Sequence, residues 1–130
     1  MYSKILIPLD GSKTAATVLP FARILAATLK LPIELLEVVD IAAATAHIAA
    51  DKARYLAAII AEGERASREH LDEVAATFPG LHVSCKVERG RPADVIIERA
   101  EAEKGTLIAM ATHGRSGINR WMMGSVAEKV

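Results

Sequence analysis

The chain has little of three things: cysteine, uninterrupted apolar sequence and net charge. Its single cysteine, Cys85, rules out an internal disulfide and a cysteine-rich zinc site. That usage fits a reducing compartment, with Cys85 itself expected as a small apolar residue inside a strand. The most apolar stretches, Thr17 to Leu29 and Ile41 to Ala50, are broken by Arg23 and His47, so nothing is long enough to span a bilayer. The start of the chain runs straight into Lys4-Ile5-Leu6-Ile7, without the basic, apolar and cleavage regions of a signal peptide; a cytoplasmic location is expected. With 16 basic and 16 acidic residues there is no overall field to favour nucleic acid or an anionic membrane, so neither is expected as a partner. Any anion site must be local.

What is present is a chain of 130 residues with 52% hydrophobic content, enough for one sizeable core and too short for two ordinary domains. A single domain over 1–130 is expected. Apolar runs of strand length recur at Ile5–Ile7, Ile33–Val39, His82–Val87 and Leu107–Met110. The segment after Ser12, a candidate N-cap, places Val18, Leu19, Ala22, Leu25, Ala26 and Leu29 on one helical face, and Pro20 predicts a kink or a late start. From Asp51 to Phe78 the spacing aligns Leu56, Ile59, Ile60, Gly63, Leu71, Val74 and Phe78, with Glu62 to Glu73 as a solvated face and Pro79-Gly80 as the stop. A third helix starts at Pro92, is expected to bury Ala93, Ile96, Ile97 and Ala100, and ends by Gly105. The Ala-rich stretch Ile41 to Ala50 reads as helix, as a cover over the sheet edge, or as a partner surface; its lack of Gly and Pro favours helix. Strands alternating with helices imply an α/β fold, a parallel sheet with helices on both faces, because parallel strands need crossover connections.

In open sheets of this kind ligands bind beyond the carboxyl ends of the strands. Four segments converge there: Pro8 to Ser12, Val38 to Asp40, Gly90 to Pro92, and Ala111 to Ser125. The last carries Gly114, Gly117 and Gly124, where a backbone can approach a phosphate, and Gly124-Ser125 can open a helix whose free N–H groups face an anion. Ser125 adds a hydroxyl donor, and Arg115 and Arg120 supply charge suited to phosphate oxygens. Glycine-rich segments also serve as plain turns, and that reading stands beside the phosphate one.

Three blocks resemble the universal stress protein family: Lys4 to Ser12, Gly90-Arg91-Pro92-Ala93, and Thr112 to Gly117 continuing to Gly124-Ser125-Val126-Ala127-Glu128. They keep the family order and cover essentially the whole chain. In ATP-binding members the loop reads Gly, two residues, Gly, nine residues, Gly, then Ser or Thr. Gly114, Gly124 and Ser125 match, whereas Ala111 replaces the first glycine, adding a methyl group that disfavours positive φ. The resemblance implies a Rossmann-like, doubly wound parallel sheet in the order 3-2-1-4-5. The family's fifth strand follows the Gly-Ser helix and has no counterpart before Val130; without it the fourth strand would be an edge. The resemblance also implies an adenine pocket of Pro8, Val38 and Met110, with Asp10 near the ribose and phosphates, where it can hold a divalent metal. Ala111, Gly114, Arg115, Gly124, Ser125 and Val126 would hold the ribose and phosphates. The implied ligands are ATP, AMP or cyclic AMP with Mg²⁺ or Mn²⁺, and the implied assembly is a homodimer.

Plainer roles remain open for several residues. Asp10 can cap the turn after the first strand. His113 has no Ser-His-Asp or Cys-His arrangement around it and reads as a loop-orienting residue. His47, His70 and His82 show no metal-ligand spacing. Asp40 and Glu37 are candidates for a ribose contact or simply a strand end, and Trp121-Met122-Met123 for a lid, a partner contact or core. The function expected is an adenine-nucleotide-binding regulatory protein of the stress response. A nucleotide-free interaction module of the same fold is the alternative. A slow ATPase comes third, since no convincing base accompanies the phosphate donors, and no catalytic residue is assigned.

Overall fold

The computed structural model describes residues 1–46, 50–113 and 119–124. Five strands, β1 (Lys4–Leu9), β2 (Ile33–Asp40), β3 (Val83–Gly90), β4 (Thr106–His113) and β5 (Asn119–Gly124), form one sheet in the order β3-β2-β1-β4-β5. The first four are mutually parallel, as the alternation of strands and helices requires. The parallel fifth strand of the family is not seen among the described residues. Beside β4 lies β5, running antiparallel, with His113 opposite Asn119 and Ile108 opposite Gly124. The edge expected at β4 is therefore paired, and Trp121-Met122-Met123, read as lid, contact or core, is part of a strand. The helix start expected at Gly124-Ser125 is not seen at Gly124, which ends β5, and Ser125 lies outside the described residues.

Helices α1 (Lys13–Ala16), α2 (Leu19–Leu29) and α4 (Leu56–Ala75) pack on one face of the sheet, and α5 (Pro92–Ala102) on the other. Pro20 explains the break between α1 and α2: it occupies the first turn of α2, where its missing N–H costs nothing. Ser12 caps α1 by accepting the Ala15 N–H at 3.1 Å, as expected. The Ala-rich stretch is helical in part, as α3 (Ile41–Ala46), separated from α4 by a 3₁₀ turn at Ala50–Tyr55. His47 lies outside the described residues.

The two-residue period of the strands divides the core. Ile5, Ile7 and Leu9 of β1 meet Val18, Ala22 and Leu71 on one face; Leu6 of β1 and Leu36 of β2 meet Val95, Ile96 and Ala100 on the other. Cys85 is a partly buried residue of β3 packed on the first cluster. Its burial, together with the Asp72 carboxylate, outweighs the Arg68 charge and pushes the thiol up, which suits a structural role.

Candidate apolar site at the carboxyl edge of the sheet

The strands part at the place where sheet order and chain order disagree. Chain connections leave β1 towards β2 and leave β4 towards β5, so the gap between β1 and β4 is the topological switch point. Lys4–Leu6 pair with Thr106–Ile108 and the pairing stops there, whereas β1 stays paired with β2 through Leu9 opposite Glu37. Beyond that point lies a cavity of about 320 Å³, within the ordinary range for small-molecule sites.

Its walls come from five elements. Pro8, Leu9 and Asp10 line it from the end of β1, Leu36 and Val38 from β2, Met110 and Ala111 from β4, Ala15 from α1, and Pro92, Ala93 and Ile96 from α5. Leu9, Ala15, Leu36 and Ile96 are buried and form the floor, while Asp10, Pro92 and Ala93 are exposed and form the rim. Among the described residues, Asp10 is the only charged side chain in this lining. Its Oδ1 accepts the Ser12 N–H at 2.9 Å, so the turn-capping role holds alongside a place on the rim. One carboxylate oxygen remains outside that bond.

Of the residues expected at a site, Pro8, Asp10, Val38, Met110 and Ala111 are brought together here. Gly124 is outside the lining, opposite Ile108 and two residues short of Met110 along β4. Gly114, Arg115, Ser125 and Val126 lie outside the described residues. Glu37 does not reach the cavity: it is buried and paired with His70 of α4. Asp40 is committed to capping α3, accepting the Ala43 N–H at 3.0 Å. His82 is exposed, and no group of three or more His, Cys, Asp or Glu among the described residues is placed to hold a metal.

The segment Gly90 to Pro92 is expected at the site and Pro92 lines it, whereas Ala93 and Ile96 of α5 read in the sequence only as buried helix residues. Ala93 is exposed on the rim instead of buried, because the apolar face of α5 begins one turn later, at Val95 and Ile96. Two features fix α5. Gly90, at φ 137°, makes a turn in which an added Cβ would stand 3.1 Å from Val95 Cγ2. At the other end Arg99 Nε donates to Glu34 Oε2 at 2.7 Å and Lys4 Nζ to Oε1 at 3.0 Å, tying α5, β1 and β2 together. Burial alone would raise the Glu34 carboxyl; the hydrogen bonds from Arg99 and Lys4 outweigh it, and the group is held below its ordinary value. These charges flank a second, more polar hollow of about 460 Å³. Its cations are already taken by Glu34.

The family model for the universal stress protein family matches residues 1–130. The chain belongs to the universal stress protein family. A universal stress protein of Methanocaldococcus jannaschii is 29% identical over 130 residues, covering 100% of this chain and 76% of the relative. Among solved structures, a hypothetical protein whose biochemical function was assigned from its structure superposes with a TM-score of 0.77 at 24% identity, over 100% of this chain and 88% of the other. A universal stress protein in complex with cAMP superposes with a TM-score of 0.58 at 20% identity, over 90% and 78%. At those identities the two structures establish the shared fold.

Proposed function

We propose that the chain is an adenine-nucleotide-binding regulatory protein of the stress response, with the base in the cavity between β1 and β4. The observation that carries this reading is the wall chemistry: an apolar slot at the switch point whose one charged group, Asp10, stands at its mouth. Such a slot suits a flat, weakly polar ring, and a rim carboxylate suits ribose hydroxyls. A member of the family binds cAMP, which supports the same ligand class here. ATP, AMP and cyclic AMP are the ligands to test. Phosphates would be held by the end of β4 and the segment after it, with Ala111, Gly114, Arg115, Gly124, Ser125 and Val126 as the proposed contacts.

Asp10 would hold Mg²⁺ or Mn²⁺ only together with phosphate oxygens, since it is a single carboxylate; that is the ordinary way Mg²⁺ is bound beside nucleotides. The charge of the ion would offset the repulsion between the carboxylate and the phosphates. Apart from Asp10, proposed here for the ribose and the metal, the described lining offers no group to act as a general base, and binding rather than turnover is the proposed activity. The protein would act in the cytoplasm, as a homodimer.

Denaturing the purified protein and identifying the released small molecules by mass spectrometry tests the reading. Recovery of an adenine nucleotide supports it. A ligand of another class would replace it.

A further inference from the structure

We infer that Pro8 is a positioning residue: by withholding one hydrogen bond it keeps β1 and β4 apart and so creates the cavity. The argument starts from backbone direction. In β1 the Ile5 N–H donates to the Pro32 carbonyl at the start of β2, at 2.9 Å. Successive N–H groups of a strand point to opposite neighbours. Odd-numbered residues of β1 therefore direct theirs towards β2, and even-numbered residues direct theirs towards β4. Residue 8 falls on the β4 side, and proline has no N–H to give.

The pairing follows this pattern. Leu6 stands opposite Ile108 as the last partner on the β4 side, while on the β2 side Pro8 itself is opposite Leu36 and Leu9 opposite Glu37. Continuing the β1–β4 register would set residue 8 against Met110. Instead both residues line the cavity. Proline is normally kept out of central strands because it interrupts a ladder; β1 is central, flanked by β2 and β4. Here the interruption falls on one side only, and it falls where the crevice opens. A residue with an N–H at position 8 would let β1 close onto β4 by one further pair and narrow the slot between Pro8 and Met110.

This role extends the nucleotide reading but has a readout that does not depend on it. Amide exchange is followed by NMR in Pro8→Ala and Pro8→Val, and each protein is titrated with AMP and ATP. The new residue 8 amide is expected to exchange as slowly as the Leu6 amide. Thermal stability should hold or rise. Affinity should fall about tenfold in Pro8→Ala if the parted form drops to about a tenth of the population, and further in Pro8→Val, whose β-branched side chain favours the strand. A residue 8 amide that exchanges as fast as an exposed loop overturns the inference, as does AMP binding equal to wild type. Lost affinity with a markedly lowered Tm also overturns it, because Pro8 would then act through general stability. If wild type binds neither nucleotide, the functional reading fails while the exchange result still decides the role of Pro8.

Discussion

At the scale of single residues, three side chains carry separable roles. Glu34 is held below its ordinary value, so the unfolded chain binds a proton more readily than the folded one. The stability it confers is complete above the unfolded carboxyl range and is lost as pH falls through the folded value. Glu34→Gln should cost about 2 kcal/mol at neutral pH, the usual worth of hydrogen bonds to a charged group. In urea unfolding, the gap between variant and wild type should shrink as pH falls below about 4. A gap that is the same at both pH values would exclude this role. Ala93, exposed on the rim, should tolerate Leu without loss of fold while ligand affinity falls on the order of tenfold, or 1.4 kcal/mol. Calorimetry on that variant checks the placement of the mouth. Ser12→Ala should lower stability by about 1 kcal/mol through loss of the α1 cap, measured by urea unfolding.

At the scale of elements, the turn into α5 is the piece that links fold to site. Gly90→Ala meets both a positive φ and the nearby Val95 side chain, and should cost about 1–3 kcal/mol. Because Pro92, Ala93 and Ile96 follow directly, the same variant should weaken ligand binding. Unfolding and titration data on one preparation test both effects. Elements were legible wherever one signal governed them. The strands announced themselves by apolar runs, and Pro20 marked the start of α2. Less was legible where two signals competed. Trp121-Met122-Met123 is too short and too uniformly apolar to show a period, and it sits among glycines, so the antiparallel β5 was not foreseen. Ala93 continues the apolar spacing of α5 by sequence, yet it lies in the first turn, before the helix reaches the sheet.

At the scale of the whole molecule, sheet order places the cavity and sequence blocks populate it. The residues that meet there are separated along the chain, yet Pro8, Val38 and Met110 each lie towards the carboxyl end of a parallel strand, and the family resemblance is what names them in the sequence. Leu36, Ala15 and Ile96 carry no motif; they were found only when the packing of α1, α5 and β2 around the gap was seen. A ligand that binds the folded form alone should add about 2.7 kcal/mol of stability at a hundredfold excess over Kd, a rise in Tm on the order of 10 °C. Scanning calorimetry with and without AMP measures it.

The central claim is that the gap between β1 and β4 holds an adenine nucleotide. Isothermal titration of the whole chain with AMP and ATP, with and without Mg²⁺, set beside a Val38→Trp variant that fills the slot, tests it most directly. Saturable binding at one site, abolished by the filled slot, is the predicted result. Absence of binding by wild type, or binding unchanged by Val38→Trp, would contradict it.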